Sequence, residues 1–331
     1  MLVTLGSWAL CAIAQPTRTV LSAGAPERIE IFPREVAIPG VSEEAGSSCD
    51  VEPLPDSCVP FLVPFFAPSP PPDGATTVVV LPGGAFQSLS PSETEVVGQR
   101  LQRLGYTALI LHYRTPAAPG GMRYAPGVMP DAPPPREWTP LIDMQRAMAV
   151  VRANAAAWRC NPDRIGVLGF SAGGALSALY AYGAWRSEAR RYAPIDGADA
   201  AAPVRPAFAA LIYPSGLLIP RPGRGTERPT PSCPNDGCSL IFPNGTLQVA
   251  VEEPPPTFLA HASNDSLCSV NGTLALAEAL TRAGEPPEVR IFDGPGHAFG
   301  VFECDEQENM PACGWPEMFG RFLVRVGMVA V

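Results

Sequence analysis

Apolar residues along the chain fall into short continuous runs that alternate with stretches of helical period. Thr76–Leu81 (TTVVVL), Thr107–Tyr113, Arg164–Gly169 (RIGVLG), Ala207–Tyr213, Pro256–His261 and Glu288–Phe292 read as strands bounded by turn residues. An earlier strand is expected at Arg28–Phe32. Helices are predicted from Ser92 to Gly105, from Thr139 to about Arg159, and from Ser171 to about Trp185. Two more are predicted at Thr273–Ala283 and from about Trp315 to Val326. Ser92, with Glu95 three residues on, reads as the cap of the first helix, and Gly105 as its stop. Strands apolar on both faces, alternating with helices, predict an α/β fold: a mostly parallel sheet covered on both sides. In such a sheet the chemistry lies beyond the carboxyl ends of the strands.

Composition narrows the function classes. Of 331 residues, 46% are hydrophobic and 17% charged, which excludes wholesale disorder. The formal net charge of −9 leaves no basic patch for phosphates, so no nucleic-acid partner is expected. Every basic side chain apart from the histidines is arginine, which removes all lysine-dependent chemistry, from Schiff bases to P-loops. The 41 prolines exceed twice the average share of about 5%, and they crowd the segments between periodic elements. Residues 15–75 form a Pro/Ser-rich N-terminal region, and 76–331 form the main domain. That domain is interrupted by Pro-rich insertions at 114–138 and 214–255.

The uncharged run MLVTLGSWALCAIA (1–14) ends in a small-x-small pattern suited to signal cleavage and is too short to span a bilayer. A secreted protein with no stable membrane anchor is the expectation. Removing that run takes Cys11 and leaves eight of nine cysteines. Short loops favour pairing Cys49 with Cys58, Cys233 with Cys238 and Cys304 with Cys313, leaving Cys160 and Cys268. Sequons at Asn244, Asn264 and Asn271 fit the same oxidising setting, and the first and last are the candidates for glycosylation. With three histidines and no CxxC pair, neither a metal nor a cofactor is expected.

Gly169-Phe170-Ser171-Ala172-Gly173 is a G-x-S-x-G pentapeptide between a predicted strand and a predicted helix, the context of a nucleophile elbow. A serine hydroxyl needs a base. Of His112, His261 and His297, the last lies in a Gly-rich loop after the final strand, where it can reach Ser171. His112 is expected to be a packed or strand-end residue, and His261 a supporting one. Asp265, leaving the strand before, is the acid expected to orient His297, with Asp293 as its rival. The order Ser…Asp…His is the one this type of fold uses. Oxyanion donors are expected from the backbone N–H groups of Ala172, Gly84 and Ala85. Phe86, Tyr113 and Phe299 are candidate substrate contacts, and Trp138 and Trp185 are further candidates for shaping the pocket.

At these residues the chain resembles the α/β-hydrolase superfamily, and within it the acetylesterase and acetylxylan-esterase-like branch, related to feruloyl-esterase-like and hormone-sensitive-lipase-like enzymes. The similar stretches include LPGGAF, LIDMQRAMAVVRANAAAW, NPDRIGVLGFSAGG, AALIYP and the segment from PPTFLAH to GHAFG. They cover about residues 76–325, with a break at 214–255. Ala85 and Ala175 stand where that branch often has a third Gly and a His. The resemblance implies a triad of Ser171, Asp265 and His297 acting through an acyl-enzyme on small acyl esters of carbohydrates or small alcohols. A serine peptidase of the same fold and a catalytically silent binding module are the alternatives. Asp143 and Arg146 match a helix pattern of the family and, at i,i+3, are expected to form a structural pair rather than a catalytic one. The oligomeric state is not legible.

Overall fold

A computed structural model of the chain describes residues 18–19, 28–32, 59–86, 88–115, 138–182, 205–215, 254–301 and 311–329. The expected signal run, most of both Pro-rich insertions, Cys49, Cys58, Cys233, Cys238, Cys304, Asn244 and Trp185 lie outside these residues, as does the side chain of Trp138.

The described strands are β1 (Arg18–Thr19), β2 (Arg28–Glu30), β3 (Phe61–Phe65), β4 (Ala75–Leu81), β5 (Thr107–His112), β6 (Cys160–Phe170), β7 (Ala209–Ile212), β8 (Thr257–Ala262) and β9 (Glu288–Phe292). They form one sheet in the order β1-β2-β3-β5-β4-β6-β7-β8-β9. From β5 onward every neighbouring pair is parallel, whereas β1, β2 and β3 join antiparallel at one edge. Helices α1 (Glu95–Arg103), α2 (Trp138–Ala153), α3 (Ser171–Tyr182), α4 (Val270–Arg282) and α5 (Trp315–Arg325) lie in the connections and after the last strand.

Strand alternation divides the core in two. Val79, Leu81 and Val167 pack with buried residues of α2, α3 and α4 on one face. Val78, Val80 and Leu168 pack with α1 and α5 on the other, where Trp315, Phe319 and Phe322 join Phe170 and Phe258. The central strands are buried on both faces, which is why they read as unbroken apolar runs.

Several expectations need correction. Ser92 does not cap α1. It lies inside a 3₁₀ turn, Pro91–Glu93, with its hydroxyl against Ser90 Oγ, and α1 starts after Thr94. Pro91 is pre-set for the first position of such a turn, so the chain begins to coil one residue early. α2 ends at Ala153 rather than near Arg159, where tight turns close on Cys160 and β6 begins. β3 was not predicted, because Pro64 within FLVPF argues against a strand. Pairing with β5 from Phe61 to Phe65 overrides it.

The register sets the location of the site. Leu81 of β4 aligns with Gly169 of β6, Phe170 with Ile212 of β7, Ile212 with Ala260 of β8, and Ala262 with Phe292 of β9. The loops after β4, β6, β7, β8 and β9 therefore open on one edge of the sheet.

Candidate active site

Ser171 follows β6 directly and opens α3 with φ +47°, a left-handed conformation unusual outside glycine. The turn works because its flanks lack side chains. A Cβ on Gly169 would meet Gly173 O at 2.2 Å, and one on Gly173 would meet Leu81 O at 2.1 Å. Among the described residues six non-glycine residues have positive φ, and five of them (Ala85, Phe86, Ser171, Tyr213 and Ala298) lie in these edge loops. Strain concentrated in this way is a mark of a functional site.

The hydroxyl of Ser171 lies 3.0 Å from His297 Nε2 and donates to it. On the far side of the ring, Nδ1–H donates to Asp265 Oδ2 at 2.6 Å. Asp265 also accepts at Oδ2 from His261 Nε2–H, and at Oδ1 from the backbone N–H groups of Leu267 and Cys268. Burial pushes its pKa up, but the hydrogen bonds from His261, His297 and Cys268 and the nearby His297 outweigh it. They hold the carboxyl well below the usual carboxylate range. His261 is fully buried and braced by Thr273 Oγ1, so it orients the acid from behind. Asp293, the rival acid, is exposed and accepts from Ser263 Oγ. Asn264 Oδ1 accepts from Gly296 N–H and ties the acid loop to the histidine loop.

The loop after β4 runs beside the serine: a Cβ on Gly83 would come within 2.9 Å of Ser171 Cβ. The carbonyls of Gly83 and Gly84 are turned toward the N–H groups of Ser90 and Ser88. The Gly83 N–H is committed to Glu93 Oε2 at 2.6 Å. Gly84 and Ala85, two of the expected oxyanion donors, follow Gly83 in this loop, and Ala172, the third, follows Ser171 in the first turn of α3.

Two of the three expected substrate contacts are core residues. Tyr113 is buried and donates from its hydroxyl to Pro82 O at 2.6 Å, which pins the loop from beneath. Phe299 is buried edge-on to Tyr213 and Phe292. A ring at a strand end or beside a histidine reads the same in sequence whether it faces a pocket or the core. Phe86 alone of the three is partly exposed, tilted over Tyr113. His112 stacks on Phe61 and lies 3.9 Å from Glu95, as expected of a strand-end histidine. The carboxylate of Asp143 is fully buried and clasped by the backbone N–H, Nε and Nη2 of Arg114, while Arg146 Nε donates to Ile31 O. Both residues are structural, as expected, but not as the i,i+3 pair: Asp143 is clasped by Arg114, 29 residues away in the chain, and Arg146 holds Ile31 instead.

Several known proteins are similar to this chain. Residues 65–198 match the BD-FAE family. An acetyl ester-xyloside bifunctional hydrolase from Caldicellulosiruptor lactoaceticus superposes with a TM-score of 0.66 at 24% identity, over 93% of this chain and 100% of that one. The chain has the α/β-hydrolase fold. A thermophilic esterase from Thermogutta terrifontis, in its butyrate-bound structure, gives a TM-score of 0.60 at 22% identity over 82% of this chain and 91% of that one. An acetylxylan esterase from Xylanibacter ruminicola is 26% identical over 234 residues, 67% of this chain and 41% of that protein. The chain therefore spans about two-fifths of the length of that relative.

Three residues of the candidate site were not singled out from sequence. Glu93 is buried, accepting from Gly83 N–H and from the Tyr213 hydroxyl at 2.9 Å. Tyr213 in turn accepts from Gly300 N–H, and its ring stands edge-on to His297 at 5.1 Å. Cys268 is buried and gives its backbone N–H to Asp265 Oδ1. Burial and the Asp265 carboxylate push its thiol up to about 12, so it stays protonated and does not compete as a nucleophile. The signal for Glu93 was its place in a short turn directly after the Gly-Gly loop, hidden under the amphipathic pattern of α1. Cys313 is disulfide-bonded, and its expected partner, Cys304, is outside the described residues. Cys160 and Cys268 are free and buried.

Proposed function

We propose that the chain is a serine carboxylic-ester hydrolase working through an acyl-enzyme. The observation that carries this reading is the hydrogen-bond chain from Asp265 through His297 to Ser171 at the mouth of the elbow. Ser171 Oγ attacks the ester carbonyl while His297 Nε2 takes its proton. The same proton then goes to the departing alcohol, and water repeats the sequence to release the acid. Asp265 fixes the Nδ1–H tautomer and offsets the charge of the imidazolium. The N–H groups of Ala172, Gly84 and Ala85 receive the oxyanion. A small acyl group on a carbohydrate or small alcohol is the proposed substrate, supported by the acetylxylan esterase relative and the acetyl ester-xyloside hydrolase neighbour. Secretion is proposed with it, supported by the disulfide at Cys313 and the short-spaced cysteines.

The test is hydrolysis of p-nitrophenyl acetate, butyrate and longer esters by wild type and Ser171→Ala. We expect the acetyl ester to be favoured and Ser171→Ala to lose at least about 10³-fold in kcat. Retention of wild-type turnover by Ser171→Ala overturns the mechanism, and a preference for long chains overturns the substrate class.

A further inference from the structure

Glu93 is the ionisable group at this site that the mechanism above leaves without a part. It is 1% exposed, and both of its carboxylate oxygens are occupied. Oε2 accepts from Gly83 N–H in the loop after β4, and Oε1 accepts from the hydroxyl of Tyr213 after β7. That hydroxyl accepts from Gly300 N–H, three residues beyond His297. One carboxylate thus joins the loop carrying the oxyanion donors to the loop carrying the base. In the sheet, β6, β7 and β8 separate β4 from β9, the strands that these two loops follow.

We propose that Glu93 is a positioning residue of the hydrolase: it sets the oxyanion loop through Gly83 and the His297 loop through Tyr213 and Gly300 before substrate arrives. The inference rests on the reading of Ser171 as nucleophile. Three features support it. Gly83 is pressed between Glu93 and the serine: a Cβ there would come within 2.7 Å of Glu93 Oε2 and 2.9 Å of Ser171 Cβ. A displacement of the carboxylate therefore moves backbone that touches the nucleophile. The residues Glu93 braces are strained: Ala85 (φ +56°), Phe86 (φ +57°), Tyr213 (φ +38°) and Ala298 (φ +59°) all need surrounding contacts to hold them. Finally, accepting two donors at once is the work of the ionised form, because a protonated acid must turn one oxygen into a donor.

The groups facing Glu93 are the Gly83 N–H, the Tyr213 hydroxyl, His297 and, at longer range, Tyr113 from the end of β5. Burial raises the Glu93 pKa above that of an ordinary glutamate. The Gly83 N–H, the Tyr213 hydroxyl and His297 oppose that rise. The brace depends on the ionised carboxylate, so it weakens on acidification, from a higher pH than for an ordinary glutamate.

The experiment compares kcat and KM for p-nitrophenyl acetate in wild type, Glu93→Gln and Glu93→Asp across pH, with Ser171→Ala alongside. Glutamine keeps the shape but cannot accept both donors, and aspartate keeps the charge but is too short to span them. We expect kcat to fall by about 10²-fold at neutral pH in both variants, with KM within about threefold of wild type. The wild-type to Glu93→Gln ratio narrows as pH falls, because protonated Glu93 resembles glutamine. A purely structural defect lowers both pH limbs alike. The proposal is overturned by wild-type kcat in either folded variant, by a loss carried in KM, or by a ratio that does not change with pH. Those results with Ser171→Ala inactive sink the role of Glu93 alone. Turnover surviving in Ser171→Ala sinks the reading beneath it.

Discussion

Asp265 shows how much chemistry one side chain can be made to carry. Four donors converge on its two oxygens, two from histidine rings and two from backbone N–H groups. The carboxyl therefore titrates below its unfolded value. The stability it contributes is present above the ordinary carboxylate range, about 4, and is lost as pH falls. Asp265→Asn is expected to lower kcat by about 10⁴-fold, because the amide no longer enforces the Nδ1–H tautomer. It should also lower Tm at pH 7, by a margin that shrinks below about pH 4. Asp293→Asn, at an exposed turn, should change kcat by less than about threefold. Esterase assays and thermal melts of the pair check this, and the reverse pattern would move the acid to Asp293. Ser171, Asp265 and His297 were legible in sequence because each lies in a short loop directly after an apolar run. Glu93 and Tyr213 were not legible, since burial and pairing between distant loops leave no trace in local spacing. The left-handed backbone at Tyr213, carried by a non-glycine residue, was hidden in the same way.

At the scale of elements, the elbow depends on contact between β4 and α3 as much as on its own turn. Gly173 packs against the carbonyls of Leu81 and Pro82, the residues that lead into the oxyanion loop. Gly173→Ala puts a methyl 2.1 Å from Leu81 O and 2.5 Å from Pro82 O. Backbone on both sides has to move, at a cost of about 1–3 kcal/mol. Because the shift separates the serine from its oxyanion donors, kcat should fall by at least about 10²-fold in protein that still folds. Circular dichroism with the ester assay tests this, and a folded Gly173→Ala with full activity would contradict it. The strands most open to sequence reading were those buried on both faces, such as β4 and β8, whose runs are unbroken. β3 was lost to Pro64, and the start of α1 to a serine that helps form a turn instead of a cap. In each case a local rule was overridden by pairing or by a proline set one residue upstream.

Across the whole molecule, the proline excess of the chain falls mostly between the segments that build the core. The strands that carry the site are apolar and fully buried, and the helices on both faces bury apolar residues. The prolines gather mainly in residues 15–75, 114–138 and 214–255. Fold class and site order follow from the core. The central claim is that Ser171 forms a covalent acyl intermediate under the control of His297 and Asp265. The most direct measurement is mass spectrometry of the protein quenched in acid during turnover of p-nitrophenyl acetate, followed by peptide mapping. The account predicts one added acetyl group on the peptide carrying Ser171, absent from Ser171→Ala and accumulating faster in wild type than in Asp265→Asn. Acetyl on another residue, or ester turnover undiminished in Ser171→Ala, would contradict it.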